Sequence, residues 1–270
     1  QQITIDENGI RQSWSRPDAS REVWMFGGSA VWGTGVDNNH TLPSLLGRQY
    51  DENGQAYRFV NFGESGYVSS QGLIRLVRRL QAGHRPYAVI FYDGANDVFS
   101  ALQSGQAGIA QNEQQRALDF AMGRGEPAAY LLSAFEGIAR LVAPPSGDLD
   151  IPVLAQSVVS AYKTNVEAVE ALASVYGFRT FFFWQPTLFS RDQPSQFEAR
   201  VLDAAWSDHR QLQLLSDQLV AEVLTEKANF FALTDALDDG IETRYLDFVH
   251  LGPRGNTEVA TQMRMHLGDL

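Results

Sequence analysis

Five short runs rich in β-branched and aromatic residues recur along the chain, and they constrain its fold more than any other feature. They are Val23–Phe26, Tyr57–Asn61, Tyr87–Tyr92, Phe178–Trp184 and Asn229–Ala232. Each is almost continuously apolar, without the in-and-out alternation of a half-exposed strand. That pattern suits strands buried on both faces of a parallel sheet. Between the runs, apolar positions fall three and four apart: Leu73, Leu76, Val77 and Leu80 make one stripe, and Val166, Val169, Leu172 and Ala173 another. Such stripes predict helices that lay one face on the sheet. A long helix is expected from about Gln196 to Lys227, and a last one near Thr257 to Leu267. Strands alternating with helices mean an α/β layer sandwich with right-handed crossovers.

The third and fourth runs stand much farther apart than the rest. The excess, about residues 99–151, carries "QSGQAGIAQNEQQ" and "APPSGDLDIP", where Gly, Pro and Gln punctuate helical pieces such as Ala128–Leu141. It reads as a cap or lid inserted within one domain spanning residues 1–270, with a surface elaboration as the alternative. A chain of 270 residues can bury a substantial core. Its formal charge of −11 repels nucleic acid and anionic membrane surfaces alike. The absence of cysteine excludes disulfides, zinc–thiolate sites, iron–sulfur clusters and thiol catalysis. No stretch is apolar enough for long enough to span a bilayer; the most apolar, Phe181-Phe182-Phe183-Trp184, is strand-sized. A chain beginning at Gln1 points to a processed product from which a signal or anchor has been removed.

In a parallel α/β sheet, ligands bind where strands end and loops turn into helices. After the first run comes Gly27-Gly28-Ser29, after the second "NFGESGY", after the third "DGAND", and beyond the fifth "DFVH". A serine hydroxyl is a poor nucleophile until a base removes its proton. Of the five histidines, His40, His84, His209 and His266 sit beside turn signals or within helical patterns, where surface or packing roles are expected. His250 differs, because Asp247 precedes it by three residues. That spacing lets one turn present a carboxylate to one imidazole nitrogen and leave the other facing a site. An acyl-transfer site also needs donors aimed at the developing oxyanion. The backbone N–H of Ser29, the N–H of Gly66 and the side-chain amide of Asn96 are the candidates. Taken singly, each has an ordinary reading: a capped turn for Asp247 and His250, a turn residue for Gly66, a helix cap for Asn96. The ordered set Ser, Gly, Asn, Asp, His on successive strand ends is what carries weight.

These residues resemble the four blocks of the SGNH (GDSL-type) hydrolase superfamily. "VWMFGGSAVWGTG" is similar to the first, with Gly28-Ser29 in place and Ala30-Val31 where the family has Asp and Leu. "NFGESGYVSSQGLIRL" matches the second at Gly66, with Gly63 the alternative register; "YDGANDV" matches the third at Asn96; "DFVHLGPRGN" matches the fourth at Asp247 and His250. The resemblance implies a flavodoxin-like three-layer α/β/α sandwich with a five-stranded parallel sheet in the order 2-1-3-4-5. It also implies ester hydrolysis by a Ser29–His250–Asp247 triad with a Ser29, Gly66 and Asn96 oxyanion hole, and no metal or other cofactor. The segment "ITIDENGIRQSW" resembles the region after an N-terminal membrane anchor in some bacterial members, which implies an extracytoplasmic domain.

Trp32, Tyr67, Tyr92, Trp184, Gln185 and Phe189 lie near strand ends and are candidates to line the substrate pocket. Flat aromatic faces beside polar neighbours suit a sugar ring, so the expected substrate is a carbohydrate or small ester, deacetylation first; core packing is their other reading. A covered site suits an acyl chain equally, as in a lipase or lysophospholipase. The same triad also serves an O-acetyltransferase acting on a polysaccharide. A non-catalytic carbohydrate-binding domain is disfavoured by the intact serine, aspartate and histidine. Nucleotide-binding glycine motifs and H-E-x-x-H are both absent.

Overall fold

The computed structural model describes residues 2–111 and 149–270 of the chain. Its sheet is built from β1 (Arg21–Gly27), β2 (Tyr57–Gly63), β3 (Ala88–Asp93), β4 (Arg179–Trp184) and β5 (Phe230–Ala232), all parallel, in the order β2-β1-β3-β4-β5. The five apolar runs therefore locate the strands to within a few residues. Their continuity has the expected cause. Trp24, Phe26, Val89, Phe91, Phe182 and Trp184 belong to the core on one face, and Val23, Met25, Ala88, Ile90, Phe181 and Phe183 to the core on the other. Neighbours in the chain point to opposite faces, and both faces are covered.

Among the described residues the helices are α1 (Ser29–Trp32), α2 (Leu42–Glu52), α3 (Ser69–Gln81), α4 (Ala95–Ser104), α5 (Ile151–Tyr176), α6 (Gln196–Asp203), α7 (Ser207–Leu224) and α8 (Pro253–Leu267). Leu76 and Leu80 of α3, Val98 of α4, Val158 and Val166 of α5 and Leu212 and Val220 of α7 pack on the first face. Leu42 and Leu46 of α2 and Val259 and Met263 of α8 pack on the second. The result is a three-layer α/β/α sandwich. The helix expected to run from about Gln196 to Lys227 is two helices, parted at Ala204-Ala205-Trp206. No glycine or proline marks that break. α6 turns Glu198 inward, and α7 turns His209, Gln213, Ser216 and Asp217 inward.

The expected cap falls mostly on residues 112–148, outside the described residues, as does Ala128–Leu141. Its near end is part of α4, and its far end leads into α5, where Asp150 accepts from the Val153 N–H at 3.1 Å and caps the helix.

Strand register sets the stage for the site. Gly27 pairs with Gly63 on one side and Tyr92 on the other, so β1, β2 and β3 end level with one another. The loops that follow them emerge together. In this strand order the chain leaves β1 in opposite directions for β2 and β3, which opens a crevice at the carboxyl ends of the strands.

Candidate active site

Gly28 ends β1's loop, and α1 begins at Ser29. The Ser29 N–H, at the first position of a helix, has no intrahelical acceptor. A Cβ on Gly28 would run into the Asn96 amide nitrogen, so glycine is required for the Asn96 side chain to lie across this turn. Asn96 comes from α4, after β3, and its Nδ2 donates to the Tyr67 carbonyl at 2.8 Å. Tyr67 in turn belongs to the loop after β2, where its N–H closes a turn onto the Glu64 carbonyl at 3.2 Å. Gly66 holds the left-handed position of that turn, with φ +74°. Gly63, the alternative register, lies under α1, where a Cβ would strike the Trp32 backbone nitrogen. Three strand ends thus meet at Gly28-Ser29, Gly66-Tyr67 and Asn96.

The fourth loop comes from the other end of the chain. Tyr245 and Leu251 bridge antiparallel, and the Leu246 N–H donates to the His250 carbonyl at 2.7 Å, closing a tight turn around Asp247-Phe248-Val249. Asp247 Oδ1 accepts the N–H groups of Val249 and His250 at 2.9 and 2.8 Å. Its Oδ2 is 2.6 Å from His250 Nδ1, and His250 Nε2 is 2.7 Å from Ser29 Oγ. One oxygen of Asp247 thus caps the turn, and the other meets the His250 ring. Burial pulls the Asp247 carboxyl upward, but the bonds from the His250 ring and from the two amides outweigh it and hold the group below its ordinary range. An ionised Asp247 keeps the proton on Nδ1 and leaves Nε2 free to accept from the serine hydroxyl.

A supporting frame surrounds these four loops. Asp97, next to Asn96, accepts the Ser69 N–H at 3.1 Å and the Ser69 hydroxyl at 2.5 Å, tying α4 to the start of α3. Glu198, fully buried, accepts the backbone N–H groups of Arg244 and Tyr245 at 2.8 and 2.9 Å and pairs with Arg191 at 3.2 Å, fixing the approach to the Asp247 turn. Arg11 is the residue that sequence reasoning passed over. It is buried, pairs as a short bridge with Asn61 of the edge strand β2, and donates to the carbonyls of Trp32, Gly33 and Val36 at 2.9, 2.7 and 2.7 Å. It thereby fastens the chain that follows Ser29. A lone arginine in a polar segment gives no signal of this.

Of the residues expected to face substrate, Trp32 and Tyr67 are half-buried beside Ser29 and Asn96, with the Arg11 guanidinium 4.5 Å from the Trp32 ring centre. Tyr92, Trp184 and Gln185 are not where they were expected. Tyr92 and Trp184 sit in the two cores, and Trp184 Nε1 donates to Asp217 at 2.7 Å while its ring meets Tyr162. Gln185 and Phe189 are buried as well. Side chains at the ends of central parallel strands are claimed by the covering helices before a ligand can use them. His209 is buried against Phe99, Phe189 and Phe248; His266 stacks on Phe231; His40 makes its own half-buried pair with Asp37 at 2.7 Å. Among the described residues no three His, Asp or Glu side chains gather to hold a metal ion, and no helix is long and apolar enough to cross a membrane.

Comparison with known families bears on this arrangement directly. The profile of the GDSL-like lipase/acylhydrolase family matches residues 25–257. The chain belongs to that family. It is accordingly a carboxylic ester hydrolase, and the match takes in all four strand-end loops. No functionally curated protein matches it in sequence. Among solved structures, it is similar to an acetyl xylan esterase, at 13% identity over 92% of this chain and 100% of that one, with a TM-score of 0.54. A carbohydrate acetylesterase family member from Sinorhizobium meliloti is similar at 15% identity over 92% and 100%, with a TM-score of 0.52. A lipolytic G-D-S-L family protein from Veillonella parvula is similar at 14% identity over 91% and 97%, with a TM-score of 0.54. At such identities the likeness is one of fold.

Proposed function

We propose that this esterase works through Ser29, His250 and Asp247, and that it deacylates a carbohydrate or small ester. The observation that carries the reading is the unbroken chain from Ser29 Oγ through His250 to Asp247, 2.7 and 2.6 Å long at its two links. Ser29 Oγ attacks the ester carbonyl as its proton passes to His250 Nε2. The new O–C bond pushes the carbonyl electron pair onto oxygen, and the N–H groups of Ser29 and Gly66 and the Asn96 amide receive the charge. As the carbonyl re-forms, the bond to the alcohol breaks and His250 returns the proton to the leaving oxygen. Water, deprotonated by the same imidazole, then attacks the acyl–serine, releasing the acid and restoring the hydroxyl. Asp247 stays ionised throughout and stabilises the imidazolium.

Two of the similar structures are named for acetyl esters of carbohydrates, which supports a carbohydrate ester as substrate. The decisive test is Ser29→Ala assayed with aryl esters and acetylated sugars. Hydrolysis is expected to fall to background. A variant that retains full esterase activity ends the proposal.

A further inference from the structure

Two peptide units join Arg11 to the backbone of Ser29. The helix that Ser29 begins has four residues, and an isolated turn of that length does not hold its own shape. Its end is held from outside. Arg11 Nη1 donates to the carbonyls of Trp32 and Gly33 at 2.9 and 2.7 Å. The first of these carbonyls shares a peptide unit with the Gly33 N–H and the second with the Thr34 N–H. Both N–H groups donate to the Ser29 carbonyl, at 2.8 and 3.0 Å. A peptide unit is planar, so holding its oxygen directs its N–H. One guanidinium nitrogen therefore aims two donors at the backbone of Ser29. The rest of the guanidinium is held in turn: Nη2 donates to the Val36 carbonyl at 2.7 Å and Nε to Asn38 Oδ1 at 3.1 Å. A Cβ on Gly33 would come within 3.0 Å of Nη1, so glycine keeps the fork's place open. From the edge strand, Asn61 Nδ2 adds a bond to the Val31 carbonyl at 2.9 Å. The four acceptors of Arg11 are neutral oxygens, and burial pulls its pKa down, with Asp37 offsetting part of the fall. Burying a charge with no carboxylate bonded to it is costly. What the guanidinium supplies in return is a planar fork that meets several oxygens at fixed angles, which an ammonium does not.

We infer that Arg11 is a positioning residue for the esterase reaction, setting the Ser29 backbone through the Trp32–Gly33 and Gly33–Thr34 peptide units. The inference rests on the serine-esterase reading. Ser29 Oγ stands 2.7 Å from His250 Nε2, a contact that depends on where the backbone puts Cα. A turn freed at its far end lets Ser29 rotate, which lengthens that contact and moves the Ser29 N–H off the oxyanion. Arg11 itself is buried against the backbone it holds, so its loss acts on turnover and not on substrate binding.

Arg11→Lys and Arg11→Ala, assayed with p-nitrophenyl acetate, test this, each rate being taken per folded molecule from near-UV circular dichroism. Displacing a reacting group by about 1 Å costs up to ~100-fold, so kcat is expected to fall about 10-fold in Arg11→Lys and roughly 100-fold in Arg11→Ala, with KM within about twofold. Millimolar N-ethylguanidinium, which returns a planar fork to the vacated space, is expected to raise Arg11→Ala turnover severalfold, whereas ethylammonium is not. Arg11→Lys keeps the buried stem and the charge, so it decides alone if Arg11→Ala does not fold. An arginine that only stabilises the fold gives a lower urea midpoint and wild-type kcat in the molecules that stay folded, and that result overturns the inference. So does a loss confined to KM, or equal rescue by the two cations. Ser29→Ala run beside them keeps the two readings apart. Full activity in that variant sinks the serine-esterase reading, whereas an inactive Ser29→Ala with wild-type kcat in folded Arg11→Lys sinks the role of Arg11 alone.

Discussion

At the scale of single residues, the site depends on how closely one amide passes a glycine. Gly28 leaves no room for a Cβ because the Asn96 side chain occupies that space. Asn96→Ala is expected to lower kcat by roughly 10²–10³-fold with little change in KM, as for loss of one oxyanion donor. Gly28→Ala removes no hydrogen-bonding group, yet it should lower kcat to a comparable degree by pushing the Asn96 amide aside. Steady-state kinetics of the two variants and the double variant check this. If Gly28→Ala costs the same in the Asn96→Ala background as in the wild type, the two do not act through one contact. The meeting of Ser29, Asp247 and His250, and of Asn96 with the turn at Gly28, was legible in the sequence, because strand ends are where such residues gather. Gly66 was legible only up to a register. Its φ of +74° and the position of Gly63 beneath α1 are backbone facts that no residue type announces. The aromatic residues misled for a related reason. Trp184 and Tyr92 have the same sequence signature whether they face a ligand or a helix, and here the helices take them.

Among the elements, strands and helix stripes followed directly from periodicity, since burial on both faces writes itself as an unbroken apolar run. Strand order does not; it entered only through the family resemblance, because five similar runs carry no label for their neighbours. The split of α6 from α7 was illegible too, since no glycine or proline marks it. Ser195 and Glu198 make a local capping box, readable as S-x-x-E, with the Ser195 N–H donating to Glu198 Oε2 at 2.7 Å. The other oxygen reaches across to Arg191, Arg244 and Tyr245, and so links α6 to the loop that carries Asp247 and His250. Glu198→Ala leaves Arg191 buried without this partner and is expected to destabilise the fold by about 3–5 kcal/mol. Arg254→Ala breaks ion pairs to Glu242 and Glu258 at 2.9 Å that are largely exposed, and should cost less than about 1 kcal/mol. Urea unfolding of both variants gives the comparison. Equal losses would mean that the buried carboxylate contributes no more than a surface pair.

For the molecule as a whole, net charge is a poor guide to where pH acts. Most of the acidic excess is solvated, whereas Asp93, Asp97 and Asp217 are buried behind the site. Burial raises all three; the proximity of Asp97 raises Asp93 further, and hydrogen bonds from Ser69 offset part of the rise at Asp97. Asp217 is pushed up to about 6 from an ordinary 3.8 by burial, partly offset by the Trp184 and Gln213 donors that share its Oδ1 at 2.7 Å each. The sign follows from proton binding. Between about pH 4 and 6 the folded protein keeps a proton on Asp217 that the unfolded chain releases, so stability from this group falls as pH rises through that window and levels off above it. Asp217→Asn keeps an oxygen for both donors and cannot ionise. It is expected to be more stable than the wild type at pH 8, on the order of 1–3 kcal/mol, and to lose that advantage at pH 4. Denaturant midpoints of the two proteins at both pH values decide the matter, since a gain that is the same at pH 4 and pH 8 would come from packing and not from the charge.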